Sequence, residues 1–319
     1  MRARSRPMAW ALLACAVALA PLAQASSAAP VPIVVVLTRE ATPYRQALRG
    51  FEEVLQGSGR GYKFHEFSME KERDERALVS RIREHRPGLI LTIGSGAMQV
   101  ISESIRDIPV VFSLVLPSSG DETLESLMEA RGNLTGASME IPLRTQFEKV
   151  REILPQVKQI GVLYDPAVTG PKIETASQAA TSAGLELIRI PVTSERDLMP
   201  SLEKLAGQVD LLWSVPDSTV FSPQGLRQVL LATLRDRIPF VGLSHSFVKA
   251  GALLALSVDY RDVGRQAGEQ ALRVLAGEPA SRIPMSIPRR LSLSLNMNTA
   301  KQIQVEIQDS VRQKAELFF

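Results

Sequence analysis

The sequence is poor in the residues that carry most redox and metal chemistry. It contains one cysteine, Cys15, and three histidines, His65, His85 and His245. Beyond position 15 there is no thiol, which excludes a disulfide framework, a thiolate metal site and a cysteine nucleophile from the rest of the chain. The histidines lie far apart and match no metal-ligand spacing. Aromatic residues make up only 5% of the chain, and Trp213 is one of just two tryptophans. Long apolar runs are missing as well. The run from Met8 to Leu22 is shorter than the roughly 20 residues that span a bilayer. There is little excess charge: the formal +3 is accounted for by Arg2, Arg4 and Arg6, and the remainder is balanced. A balanced surface offers no clustered basic face, so nucleic acid is excluded as a partner.

Those three arginines open a different kind of segment. MRARSR, the apolar run and Ala23-Gln24-Ala25 together have the layout of a secretory signal peptide over residues 1–25. The pattern predicts cleavage after Ala25 and a mature protein in the periplasm. Leu12-Leu13-Ala14-Cys15 offers lipidation of Cys15 as the weaker alternative, because apolar residues continue past the cysteine. The 45% hydrophobic and 22% charged composition is that of a packed globular protein, long enough to bury a core without staples.

From Val31 onward, short apolar runs alternate with amphipathic stretches. VPIVVVLT (31–38), GYKFHEF (61–67), LILTI (89–93), PVVFSL (109–114) and NLTGAS (133–138) read as strands. QIGVLY (159–164), LELIRI (185–190), VDLLWSV (209–215), IPFVGL (238–243) and ALLALS (252–257) form a second series. Between them, residues such as Tyr44, Ala47, Leu48, Phe51 and Val54 recur at helical spacing. One helix is predicted from about Pro171 to Ala183, stopped by Gly184. Another is marked by Val263, Ala267, Ala271 and Leu275, and a last one by Ala300, Ile303, Ile307 and Val311. Alternation of this kind implies α/β architecture with parallel sheets, and two series imply two lobes. The charged run MEKERDER (69–76) reads as a solvated helix start.

Ligands of open α/β sheets sit beyond the carboxyl ends of the strands, so the residues there are the candidate site. They are Thr38-Arg39-Glu40, Gly94-Ser95-Gly96, Ser113, Ser138-Met139-Glu140, Tyr164-Asp165-Pro166, Pro216-Asp217-Ser218-Thr219, Ser244-His245 and Asp259-Tyr260. Of these, Thr38, Ser95, Gly96, Ser113, Ser138, Asp165, Asp217, Ser218, Thr219, Ser244 and Asp259 are the candidate ligand contacts. Hydroxyls and carboxylates of this kind suit a small polar ligand. Gly94-Ser95-Gly96 opens a helix, where free N–H groups favour an anion; an ordinary turn capped by Ser95 fits the same residues. The run is not a dinucleotide fingerprint, since Gln99 stands at the third glycine position, nor a GxSxG elbow. Asp217 can pair with a cationic group or cap the next helix. Asp165 and Asp259 suit turn and capping roles as well. Adjacency in Ser244-His245-Ser246 does not by itself make a nucleophile–base pair, and Trp213 on an apolar strand suits the core. No enzyme, cofactor or metal is implied.

NLTGAS (133–138), ILP (153–155), IGVLYDP (160–166), AGLEL (183–187), LAGQVD (205–210), PDSTV (216–220), VKAGA (248–252) and VDYRDVGRQ (258–266) occur in order. Together they resemble the periplasmic substrate-binding proteins of ABC importers, in the group with tryptophan- and tyrosine-binding members. The resemblance implies a type I periplasmic-binding-protein fold, two doubly wound parallel-sheet lobes joined by a three-segment hinge. Lobe one would hold 30–139 and 251–278, and lobe two 142–245 and 285–319. The crossings would fall near 139–142, 245–251 and 278–290. It also implies a ligand held between the lobes, with Ser95 and Gly96 toward its carboxylate and Asp217 toward its amine. Ser95-Gly96 replaces the family's Thr-Pro, Thr38-Arg39-Glu40 and Thr42-Pro43 replace its Gln and His-Pro, and Leu256-Ser257 replaces Tyr-Gly. These departures sit at the pocket, so the implied ligand is amino-acid-like without a named side chain. The implied partner is an ABC permease, or alternatively a membrane sensor kinase, and the protein would act as a monomer.

Overall fold

The computed structural model describes residues 29–72, 74–116, 123–315 and 317–318. The leader expected over 1–25, with Cys15, lies outside them. Strand β1 (Val31–Leu37) is buried over most of its length, as a continuous apolar run requires. Helix α1 (Thr42–Gly57) has Pro43 in its first turn and buries Ala47, Leu48, Phe51 and Leu55 on one face. The alternation continues through β2 (Tyr62–Ser68), α2 (Glu75–Glu84), β3 (Leu89–Ile93), α3 (Ser95–Ser104), β4 (Val110–Val115), α4 (Leu124–Arg131) and β5 (Leu134–Ser138). A second series follows, with α5 (Leu143–Ile153), β6 (Gln159–Tyr164), α6 (Pro166–Ser182), β7 (Glu186–Pro191), α7 (Leu198–Leu205), β8 (Leu211–Trp213), α8 (Pro223–Arg235) and β9 (Phe240–Gly242). The chain ends with α9 (His245–Ala250), β10 (Leu254–Val258), α10 (Tyr260–Leu275), β11 (Leu291–Leu295), α11 (Met297–Gln302), α12 (Asp309–Arg312) and β12 (Leu317–Phe318).

Two sheets result. The first has the order β2-β1-β3-β4-β5 and is parallel throughout. The second has the order β12-β11-β10-β9-β8-β6-β7, and only the β10–β11 pair is antiparallel. Helices cover both faces of each. Phe51, Leu91 and Ala267 pack on one side of the first sheet, and Ile82, Ile101 and Phe112 on the other. Phe147, Ile173 and Trp213 do the same for the second sheet, opposite Leu202, Val229 and Phe240.

Three segments run between the sheets: residues 139–142 after β5, Asp259 after β10, and 287–290 before β11. The third follows a stretch that lies along β5, with Ser286 donating to Gly136 O and accepting from the Ser138 N–H, both at 2.9 Å. The expected second crossing at 245–251 is corrected. Leu254 pairs with Val241 of β9 and with Leu295 of β11, so residues 251–258 belong with the second sheet. The chain returns to the first lobe only at α10, whose Val263 and Ala267 join the core beside β1. Two helix boundaries also differ. α6 begins at Pro166, capped by Asp165, and carries Pro171 inside it. The expected last helix is two short ones, separated near Gln304, whose φ of 61° no helix accommodates.

Candidate functional site

Two contiguous cavities of about 280 and 430 Å³ lie between the sheets and share Leu116, Glu140, Lys172 and Pro216 in their walls. The smaller sits beyond the carboxyl ends of β8, β9 and β10, lined by Ser214, Gly242 and Leu256 among others. That is where an open parallel sheet leaves a crevice. Met139, Glu140 and Ile141 of the first crossing and Tyr260, just after the second, close it. The wall is mostly apolar, with Val150, Trp213, Val215 and Val258 facing inward.

Trp213 is 2% exposed and serves both core and cavity. Its ring lies 5.0 Å from that of Phe147, and its Nε1–H donates to Gln146 Oε1 at 3.1 Å. Burial raises the Tyr260 phenol above its ordinary pKa, with Tyr44 adding a smaller push, so its hydroxyl stays neutral at physiological pH. One ion pair stands in this wall: Lys172 Nζ lies 2.9 Å from Glu140 Oε1, each side chain about a third exposed. Among the described residues neither charge has a second ion-pair partner.

None of the eleven expected site residues lines either cavity, although several neighbour residues that do. Asp217 is 3% exposed, and its carboxylate is turned inward. It accepts from the Asp165 N–H at 2.8 Å, the Thr169 hydroxyl at 2.7 Å and the N–H groups of Thr219 and Val220. Asp165 caps α6 through the Ala167 N–H and accepts from the Thr219 hydroxyl at 2.8 Å. Ser218, between them, is exposed. Asp165, Asp217 and Thr219 are therefore brought together, as a clasp that fixes the start of the helix bearing Lys172. Ser138 donates to Val115 O and accepts from the Glu140 N–H at 3.0 Å, which places Glu140. Asp259 caps α10 through the Asp262 N–H at 3.0 Å, one residue before Tyr260.

On the first sheet, Thr38 Oγ1 accepts from the Ala97 N–H at 2.9 Å. Gly94 has φ 93°, and a side chain there would strike Tyr44 and Thr38, so the turn is built around glycine. Gly96 lies against Thr38. Ser95 is exposed and bonds the Leu116 backbone at 3.3–3.4 Å, one contact behind the cavity wall. Ser113 is fully buried, and among the described residues its hydroxyl has no hydrogen-bond partner. Ser244 precedes α9 without a side-chain cap, next to Leu243, which does line the cavity. Reading along the strand ends reached Glu140, in Ser138-Met139-Glu140, without singling it out, and missed Lys172. The available signal was weak: Glu140 is the first charge after the strand-end Ser138-Met139, and Lys172 is one helical turn beyond Thr169.

Two parallel-sheet lobes, three crossing segments and an interlobe cavity define a two-lobed ligand-binding protein, with the type I periplasmic-binding fold. Residues 31–318 match the family described as ABC transporter substrate binding protein, and the chain belongs to it. A tyrosine-binding protein of Clostridioides difficile is 24% identical over 72% of this chain and 67% of its own length. Among solved structures, a ligand-free, open substrate-binding protein with adhesive properties from Clostridium difficile has a TM-score of 0.75. It is 19% identical over 90% of this chain and 98% of its own. The L-Trp complex of an ABC domain from Streptococcus pneumonia has a TM-score of 0.64 and 20% identity over 91% of this chain and all of its own. These relatives are substrate-binding proteins, not enzymes.

Proposed function

We propose that this protein captures a small amino-acid-like solute with an apolar side chain between its two lobes and hands it to a membrane ABC permease. The observation that carries this reading is the mostly apolar cavity at the strand ends, closed by two of the three crossing segments and bearing one Glu–Lys pair. Such a wall suits an apolar side chain with a charged head. Two relatives, a tyrosine-binding protein and an L-Trp complex, support the same class. Capture works by differential affinity: a ligand that touches both lobes favours the closed arrangement by as much as it binds that form better. Leu116 from the first lobe and the strand ends of the second are the opposed surfaces. The layout of residues 1–25 supports export to the periplasm with a mature N-terminus at Ser26, and among the described residues no helix is long and apolar enough to cross a membrane.

Thermal denaturation of the chain from Ser26 against the protein amino acids, small carboxylates, sugars and purines tests the reading. A ligand at 100 times its dissociation constant adds about 2.7 kcal/mol of apparent stability. Stabilisation by one or a few apolar amino acids is expected. Stabilisation by a sugar or purine, with none by any amino acid, would overturn it.

A further inference from the structure

We infer that Glu140 and Lys172 form a self-paired charge gate that a ligand must open, so that only a ligand carrying both a cation and an anion binds well. The inference rests on the cleft-capture reading and goes further, by naming the groups that hold the ligand's head. The buried carboxylates at the strand ends are committed. Asp217 takes four internal donors, and Asp165 takes an N–H and a hydroxyl. Among the described residues the side chains of Glu140 and Lys172 pair only with each other, at 2.9 Å, and both stand in the walls of both cavities. With Leu116 and Pro216 they form the partition between the two chambers, beside the apolar wall of Trp213, Val215 and Tyr260.

Each side chain is about a third exposed, so water softens the loss of a partner in the open cleft; once a ligand displaces that water, an unreplaced partner becomes costly. A zwitterion replaces both at once: its ammonium meets Glu140 while its carboxylate meets Lys172, and its side chain lies toward Trp213. An amine or a carboxylate alone opens the pair and leaves one of the two charges stranded. The same exchange couples recognition to movement. Glu140 belongs to the first crossing segment, between Ser138 of β5 and α5, whereas Lys172 is fixed on α6 of the second lobe. Opening the pair therefore removes the tie between the crossing segment and α6 at the moment the ligand enters, while Ile141 stays bonded to Gln146 of α5.

The test is calorimetric titration of the full mature chain with L-phenylalanine, L-tyrosine, L-tryptophan, L-leucine and L-methionine, with 3-phenylpropionate and phenethylamine as single-charge probes. Glu140→Gln and Lys172→Gln are each expected to weaken the best-bound amino acid roughly tenfold to a hundredfold. The double variant Glu140→Lys with Lys172→Glu keeps the pair while reversing it. It is expected to melt with the wild type and still lose binding, which separates recognition from folding. Both single-charge probes are expected to bind the wild type more weakly than L-phenylalanine. Unchanged amino-acid affinity in the two single variants, or in the reversed pair, would overturn the gate and leave the cleft reading intact. A wild type that binds none of the five amino acids would overturn the gate and count against the apolar amino-acid class itself.

Discussion

Asp217 illustrates how a residue that looks like a ligand contact can be consumed by its own fold. Its carboxylate takes four donors, three of them in buried bonds. Asp217→Ala is therefore expected to cost about 2–4 kcal/mol, the range for losing charge-assisted bonds at a buried site. Urea unfolding with an unchanged denaturant slope would measure it. Asp217→Asn should cost less, because one oxygen can still accept, and ligand affinity should fall less than stability. His65 gives a second case. It stacks on His85 with ring centroids 3.9 Å apart. Its pKa lies below the ordinary 6.5 because burial disfavours its charged form, with smaller pushes from His85 and Lys63. The folded state thus binds its proton less readily than the unfolded state. The stabilisation is fully present above about pH 6.5 and is lost as pH falls through the lower folded value. Stability measured from pH 7.5 to 5 should decline, and His65→Gln should flatten that decline.

At the scale of elements, helices α1 and α10 approach each other backbone to backbone. A Cβ added at Gly50 would lie 1.9 Å from Arg261 O, and one at Gly264 would lie 1.9 Å from Ala47 O. Both obstacles are backbone, so the helices must separate to admit a methyl group. Gly264→Ala is expected to destabilise the fold by about 1–3 kcal/mol, as overpacking does, and by more if the helices cannot part. Because α10 begins with Tyr260 at the cavity, the same variant should also weaken ligand binding. Chemical denaturation and calorimetry on the same sample would show both effects, and an unchanged midpoint would refute the packing argument.

The whole molecule is held at its waist by three short segments. Asp259 N–H donates to Arg290 O at 3.2 Å, so the second and third crossings run side by side. Arg289 then ties the third crossing to α10 through Asp262 and Glu269. Rotation about these segments can change the cleft while leaving each sheet's core untouched, which is the hinge type of domain motion. The expected outcome is a smaller radius of gyration in small-angle scattering when a bound amino acid saturates the protein. A radius that stays constant at saturation would count against closure.

Much of this molecule was legible in the chain by itself. The strands, most helices and the two-series alternation follow from apolar runs and helical spacing, because burial on both faces of a parallel sheet dictates a residue's type wherever it lies. The family resemblance was carried by ordered motifs of the same local kind. Tertiary structure alone decided which sheet took Leu254–Val258, because a run buried on both faces is accepted equally by either sheet until its neighbours are placed. It also decided which strand-end residues face the cleft. Short side chains such as Asp165, Asp217 and Asp259 find backbone N–H donors a few residues away, at little entropic cost, and are spent there. Glu140 and Lys172 are 32 residues apart and meet only because α6 packs back across the first crossing. Their longer side chains reach past the local backbone, and no spacing in the sequence records that meeting.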